Sequence, residues 1–292
     1  MIFLDNINCI NFPGGELHIT GNNFPIGNKI IGADTNLFAC IRCPQDILKL
    51  LLFTDAYKRY YGYTPNLYMP YIPYARQDRV ANEGESLSIK VFCDIINLQG
   101  YKKVYVFDPH SDVCMALLDN VEVIAHIDDK FLSDNIPNYY DKIVVAPDAG
   151  SYKKLCKVIP SDRLVYATKQ RDTKTGKLSH MEIHSQFDLN GKDLLVVDDI
   201  CDGGGTFILL SQAIKDNYTP NSMQLYVSHG IFSKGLSALN VGYDKVYTTN
   251  SFFIHDEYQN IHKDYLTVID LIPYCELPQN SLQDEYYVRH AV

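Results

Sequence analysis

Residues 192–206 read KDLLVVDDICDGGGT, from Lys192 to Thr206: an apolar run, two adjacent carboxylates and a glycine-rich turn. Residues 194–197 have the continuous apolar character of a strand covered on both faces, and residues 207–214 (FILLSQAI) behind the turn have helical character. The order strand, turn, helix predicts a parallel α/β unit. A turn that ends at a helix N-terminus presents unpaired N–H groups and the positive end of the helix dipole, which suits a phosphate. Gly203, Gly204 and Gly205 allow close backbone approach, and Thr206 adds a hydroxyl donor. Asp198 and Asp199 fall where the strand is expected to end. They would repel a bare phosphate, but they can accept hydrogen bonds from sugar hydroxyls or help hold Mg²⁺. A sugar phosphate satisfies both halves. The plain alternative is an ordinary turn whose aspartates cap the following helix. No GxxxxGK[ST] pattern occurs, which disfavours a nucleoside triphosphatase loop.

Outward from that stretch, strands and helices alternate. Towards the N-terminus, strand-like segments at 29–31 and 37–41 precede an amphipathic helix over 45–61, with Ile47, Leu48, Leu51, Leu52 and Ala56 on one side. A strand over 66–73 delivers Tyr74-Ala75-Arg76-Gln77-Asp78-Arg79 into a loop. A helix over 86–98 leads to a strand over 103–107 that ends in Asp108-Pro109-His110-Ser111-Asp112. The second half repeats the scheme, with a strand over 142–146 ending at Pro147-Asp148-Ala149-Gly150 and a helix over 152–158. A strand over 163–167 opens a polar stretch, 169–179 (KQRDTKTGKLS), whose charge and turn residues predict a mobile loop. Strands at 223–227 and 245–247 follow. This alternation predicts an α/β fold of two related domains, each a parallel sheet flanked by helices, with ligands at the carboxyl ends of strands. The expected division is 1–127 and 128–272, with the tail 273–292 returning to the first domain.

A chain of 292 residues has room for two such domains, and 46% apolar with 21% charged residues fits a soluble globular protein. A net charge of −9 argues against a general nucleic-acid partner. No apolar run approaches the ~20 residues that span a bilayer, and the N-terminus does not open as a signal peptide, so a cytoplasmic protein with no membrane partner is expected. The eight scattered cysteines read as reduced thiols. Cys40 and Cys43 form a single CxxC, and His180 and His184 have the spacing of one helix face without a companion acid motif. Both pairs are taken as incidental. Strand ends place Arg76, Asp108, His110, Asp148, Asp198 and Asp199 in candidate site positions. Singly, each reads as a solvated charge or a satisfied polar residue. Together with a phosphate-binding turn they suggest a nucleotide meeting a sugar phosphate.

The pieces FPGGE (12–16), YARQDR (74–79), DPHSD (108–112), APDAG (146–150), TKQR (168–171) and VVDDICDGGGT (196–206) occur in one order across most of the chain, and together the sequence resembles ribose-phosphate pyrophosphokinases, the phosphoribosyl-pyrophosphate synthetases. The resemblance implies a type I phosphoribosyltransferase-like fold and Mg²⁺-dependent transfer of the β,γ-diphosphate of ATP to the C1 hydroxyl of ribose 5-phosphate, with AMP released. It implies that Arg76, Gln77, Asp78 and His110 touch ATP, and that Phe12 and Glu16 reach the adenine of a neighbouring subunit in a homo-oligomer, at least a dimer. His110 and Asp148 match the metal-linked positions, with Asp148 also on the ribose-phosphate side. Asp198 and Asp199 match the ribose hydroxyl ligands, and Asp202, Gly203, Gly204, Gly205 and Thr206 the 5-phosphate loop. Lys169 and Arg171 match the catalytic cations, with His110 beside them.

Three departures stand out. The segment before FPGGE is short, so the family's first strand and helix are expected to be absent or rebuilt. Gln170 occupies a position that is basic in many members. Gly203 stands where the family usually has Thr, which removes one donor to a terminal phosphate and clears space beside it. This last change raises a second acceptor, a 5-phosphate diester such as ADP-ribose, with the C1-diphosphate of ADP-ribose as product. Two readings of other classes complete the set. One is a catalytically silent regulatory paralogue, which would have no chemical need for Lys169, Arg171, His110 and the paired aspartates. The other is a type I phosphoribosyltransferase, which would not need YARQDR and DPHSD.

Overall fold

The computed structural model describes residues 1–24, 35–171, 178–252 and 262–275, without the side chains of Asn22 and of residues 170–180. In the first half the order is β1 (Ile2–Phe3), β2 (Cys9–Asn11), β3 (Leu17–Ile19), β4 (Asn36–Phe38), α1 (Pro44–Tyr61), β5 (Asn66–Met69), α2 (Ser88–Asn97), β6 (Val104–Phe107), α3 (Asp112–Leu117) and β7 (Val121–Ile124). Strands β1, β4, β5, β6 and β7 lie side by side in that order and all run parallel. The Pro-Gly-Gly turn closes an antiparallel β2–β3 hairpin outside this sheet. Helix α1 starts with Pro44, whose missing N–H costs nothing at the first turn, and stops at Gly62, which takes φ 85°. It buries Leu50, Phe53, Thr54 and Tyr57. The buried stripe is thus not the expected Ile47, Leu48, Leu51, Leu52 and Ala56, of which Leu48 is exposed and the others half-buried; the aromatic rings of Phe53 and Tyr57 carry the packing instead.

The second half continues with α4 (Asp129–Asn135), β8 (Ile143–Ala146), α5 (Ala149–Leu155), β9 (Leu164–Arg171), β10 (Leu178–His184), β11 (Asp193–Cys201), α6 (Gly205–Asn217), β12 (Ser222–Gly230), β13 (Lys245–Thr249) and β14 (Leu266–Ile269), then one helical turn, Ile272–Cys275. The sheet order is β10-β9-β8-β11-β12-β13-β14, parallel throughout except for the β9–β10 edge hairpin. Central β11 has Leu194 to Val197 fully buried, as expected for a strand covered on both faces. The chain is thus mixed α/β, with parallel sheets flanked by helices. We propose residues 1–127 and 128–272 as its two domains, because no described strand of one sheet pairs with the other. Beyond the junction, Leu271 and Cys275 pack with Phe38, Cys40, Tyr68 and Phe107 of the first half, and the Tyr68 hydroxyl donates to the Cys275 carbonyl at 3.0 Å. Residues 276–292 and the strand expected at 29–31 lie outside the described residues.

Several local expectations are corrected. The first strand is present, as two residues paired with β4. β5 stops at Met69, because Pro70 and Pro73 cannot donate to a ladder. Helix α5 begins at Ala149 rather than 152, since the Asp148 carboxylate accepts from the Ser151 amide at 2.9 Å and caps it. Lys169 to Arg171 belong to strand β9 and not to a loop, because pairing with β10 satisfies their backbone groups whatever their side chains. His180 and His184, spaced for a helix face, sit on strand β10.

At the junction between the halves, His126 is buried against Phe107, Phe131 and Tyr274, and neither ring nitrogen has a hydrogen-bond partner among the described residues. Burial pushes its pKa down to about 3. The unfolded imidazole takes up a proton that the native one refuses. Stability from this group therefore falls as the pH drops from about 6.5 towards 3, by about 1.4 kcal/mol per pH unit. Thermal unfolding followed between about pH 6.5 and 4.5 should show this loss, and His126→Phe should flatten the slope.

Candidate active site

Strand β11 carries its paired carboxylates two residues before its end. β11 runs on to Cys201, so Asp198 and Asp199 are held in the sheet, with their backbones fixed by pairing to β12. They do not cap α6. That role falls to Gly204, in the left-handed region at φ 75°, without a side-chain cap bond, which leaves the amides of the first turn open. A Cβ on Gly204 would be strained there and would meet Leu239 at 3.2 Å, whereas one on Gly203 would meet only the flexible stem of Lys234 at 3.4 Å. Thr206 lies half-buried in that first turn and Gly205 is exposed.

From Asp199 a continuous chain of hydrogen bonds spreads across the cleft. His110 Nδ1 lies 3.1 Å from Asp199 Oδ2, and Lys154 Nζ lies 2.6 Å from the same oxygen. The Asp199 amide donates to Asp198 Oδ1 at 3.0 Å. Ser151 Oγ sits 2.5 Å from Asp198 Oδ1 and 3.2 Å from Asp148 Oδ1. Lys169 Nζ closes the chain on Asp148 Oδ2 at 2.6 Å. His110 comes from the loop after β6, and the others from strands β9 and β11 and from helix α5 with its capping residue Asp148, so one array joins both halves.

The electrostatics divide the two aspartates. Burial and the adjacent Asp199 push Asp198 up to about 7. Burial alone would raise Asp199 as well, but the His110 hydrogen bond and the Lys154 charge outweigh it and hold Asp199 below the usual carboxylate range. The Asp199 bond in turn raises His110 against the opposing effect of its burial. Asp148 is also lowered, because the Lys169 bond and the Ser151 amide overcome burial. In its protonated form Asp198 donates to Ser151 Oγ, and the Ser151 hydroxyl is then free to donate to Asp148.

On the other side of the phosphate turn, Arg76 Nη1 meets Asp202 Oδ2 at 3.0 Å, and the Ser233 hydroxyl donates to Asp202 Oδ1 at 2.5 Å. These bonds, Ser233 first, lower the Asp202 pKa. Arg76, Gln77 and Asp202 line a cavity of about 630 Å³ whose other walls include Tyr71, Tyr74, Phe252, Arg42 and Cys43. Asp78 is turned inward and pairs with Arg79 at 3.2 Å. Tyr74 and Asp108, in the two loops that reach the cleft from the first half, have φ of 64° and 37°, strain of the kind that gathers at functional sites.

Some expected residues are elsewhere. Asp108 is buried, with its carboxylate on the His126 and Ile127 amides and the Ser228 hydroxyl, so it supports the loop from behind and does not face the cleft. Phe12 and Glu16 are exposed at the tip of the β2–β3 hairpin, and no hydrogen bond or ion pair joins them to the other site residues described. The Arg171 side chain lies outside the described residues. Ser151 and Lys154 were not anticipated from the sequence. Their signal was the spacing from the Asp148 cap, since positions three apart on α5 share the face that looks at β11.

A metal here would draw on few protein ligands. Among the described residues no group of three or more His, Cys, Asp or Glu side chains could hold an ion. Mg²⁺ commonly keeps most of its shell as water and substrate phosphate, so one or two protein ligands would suffice for an ion at this site. With Nδ1–H on Asp199, the His110 ring is oriented by a carboxylate and leaves Nε2 available, an arrangement common behind metal-bound imidazoles.

Comparison with known proteins agrees with this architecture. Residues 2–100 match the family model described as the N-terminal domain of ribose phosphate pyrophosphokinase. A ribose-phosphate pyrophosphokinase of Mycoplasmopsis pulmonis is 29% identical over 291 residues, covering 96% of this chain and 87% of its relative. One from Pyrococcus abyssi is 28% identical over 237 residues, 76% of this chain and 79% of that protein. The crystal structure of phosphoribosylpyrophosphate synthetase from Mycobacterium smegmatis superposes with a TM-score of 0.74 at 23% identity, covering 96% of this chain and 90% of the other, and so shares the fold. Similarity that runs nearly end to end, a matching N-terminal family model and the common fold point the same way: the chain is similar to the ribose-phosphate pyrophosphokinases.

Proposed function

We propose that this protein transfers the β,γ-diphosphate of ATP to the anomeric C1 hydroxyl of ribose 5-phosphate, giving phosphoribosyl pyrophosphate and AMP. The observation that carries the reading is the unbroken array from His110 through Asp199, Asp198 and Ser151 to Asp148 and Lys169, beside a helix N-terminus with no side-chain cap. The 5-phosphate takes the amides of the Asp202–Thr206 turn, and the carboxylates of Asp198 and Asp199 take the vicinal hydroxyls. Arg76, Gln77 and His110 face ATP, Asp78, turned inward onto Arg79, supports their loop from behind, and Phe12 and Glu16 serve the adenine of a neighbouring subunit in a homo-oligomer. The C1 oxygen attacks the β-phosphorus, the bond from that phosphorus to the α,β-bridging oxygen breaks, AMP leaves and the hydroxyl proton is released. Lys169 and Arg171 oppose the charge that builds on the phosphoryl oxygens. Mg²⁺ held by His110 and Asp148 would supply charge neutralisation at the same phosphates.

A second acceptor, a 5-phosphate diester such as ADP-ribose, is supported by the space at the turn. Gly203 has only the Lys234 stem beside it, and the cavity of about 630 Å³ with Tyr71, Tyr74 and Phe252 in its walls adjoins Asp202. Aromatic faces of that kind suit a nucleoside attached to the phosphate. Mass spectrometry of reactions with Mg-ATP and each acceptor decides between the two. A C1-diphosphate from ribose 5-phosphate alone rejects the diester, and one from ADP-ribose alone rejects the monoester. AMP from neither rejects the reaction and leaves the silent paralogue. Gly203→Thr restores a donor to a charged oxygen, worth about 1.5–3 kcal/mol. It should therefore shift the kcat/KM ratio towards the monoester by at least ~10-fold.

A further inference from the structure

The loop that presents His110 is fastened along its backbone by the opposite half of the molecule. His229 Nε2 lies 3.1 Å from the Phe107 carbonyl and 3.3 Å from that of Asp108. Lys154 Nζ takes the next two carbonyls, Pro109 at 3.1 Å and His110 at 3.0 Å. Four successive carbonyls are thus held by two side chains of the second domain. The Asp108 carboxylate adds the Ser228 hydroxyl at 2.5 Å on one oxygen and the His126 and Ile127 amides at 2.8 and 3.2 Å on the other. Lys154 also bonds Asp199 and belongs to the site. His229, 2% exposed at the end of β12, touches none of the residues assigned to substrates through a hydrogen bond.

We propose that His229 is a positioning residue, whose donation to the Phe107 and Asp108 carbonyls sets the height of the His110 loop over the acceptor corner. This rests on the functional reading above. Carbonyls only accept, so Nε2 carries the proton, and Nδ1, 2.8 Å from Ser251 Oγ, accepts the Ser251 hydroxyl, whose other acceptor within reach is the Ser228 carbonyl at 2.8 Å. The Ser228 carbonyl still receives the Thr249 hydroxyl at 2.6 Å. Burial lowers the pKa of the ring against the opposing charges of Asp108 and Asp199, the direction that this tautomer calls for. The segment needs such a hold because Asp108 sits at φ 37°, a conformation that relaxes unless its surroundings fix it.

The test compares His229→Asn, which cannot reach the carbonyls from the Nε2 position, with His229→Gln, which can. Since misplacement of a reacting group by 1 Å can cost about 10²-fold, His229→Asn should lower kcat at least ~30-fold, with equilibrium dissociation constants for ATP and ribose 5-phosphate within about threefold of wild type. His229→Gln should recover most of that loss. A folded Asn variant with wild-type kcat, or Asn and Gln variants with equal kcat, overturns the proposal. Should His229→Asn not fold, Ser251→Ala, which removes only the hydroxyl that sets the tautomer, should lower kcat with substrate affinities unchanged, and an unaltered kcat overturns it. If the wild-type protein releases no AMP, the functional reading fails separately. The hold is then decided by amide exchange, with the His126 and Ile127 amides at least ~10-fold faster in His229→Asn and β11 unchanged. Equal exchange at those amides overturns it.

Discussion

Lys169→Ala is expected to lower kcat by about 10²–10³-fold, the usual consequence of removing one preorganised donor to a developing oxyanion. In the structure Lys169 Nζ is held 2.6 Å from Asp148 Oδ2, with both side chains largely covered. The lysine is parked on a carboxylate that the functional reading also assigns to the metal. Its ammonium offsets the charge of Asp148 in the free protein, and on the proposed mechanism it turns to the phosphoryl oxygens once a divalent cation and ATP are bound. Because Lys169 stabilises charge that appears only at the transition state, the ATP dissociation constant should stay within about threefold of wild type. Steady-state turnover combined with equilibrium ATP binding checks this. Unchanged turnover removes Lys169 from the mechanism, and a loss confined to binding makes it a ground-state ligand.

Asp199→Asn should be comparably damaging, and for a different reason. The side chain is 7% exposed and accepts from both His110 and Lys154, so the amide removes the only negative charge these two groups are shown to share. Taking one partner from a buried charge pair costs about 3–5 kcal/mol, and solvent at His110 and Lys154, each more than a third exposed, offsets part of that here. Activity should fall by about 10³-fold and the thermal midpoint should drop with it. Asp198→Asn provides the contrast. Burial and Asp199 already push Asp198 up to about 7, so near neutral pH it spends much of its time uncharged, and an amide is a closer substitute. Its thermal midpoint should change far less than that of Asp199→Asn, while the KM for the acceptor rises in both variants. Equal destabilisation by the two substitutions would contradict this division of charge between the aspartates.

Much of the architecture was legible because a few local signals are strong. The apolar run before Asp198 has the character of a covered strand, and the glycines after Asp202 mark a turn into a helix. What the sequence hid was set by tertiary pairing. Lys169 to Arg171 have the polarity of a loop, yet β10 pairs with them and turns them into a strand. Asp108 carries the same carboxylate as Asp198, and nothing in DPHSD tells that its backbone bends at φ 37° and sends the side chain inward to Ser228. Lys154 and His229 act through contacts across 45 and more than 120 positions of chain, which no periodicity reveals. The role proposed for Phe12 and Glu16 needs a second copy of the chain, and a single chain shows only that both are exposed.

The central claim is that the inner phosphorus of ATP is transferred together with the terminal one. Phosphorus NMR of the protein with Mg-ATP and ribose 5-phosphate, and in parallel ADP-ribose, tests it directly. The account predicts that the ATP resonances give way to an AMP singlet and a pair of mutually coupled diphosphate resonances on one of the acceptors. Formation of ADP with a singly phosphorylated acceptor, or ATP left intact with both acceptors, would contradict it.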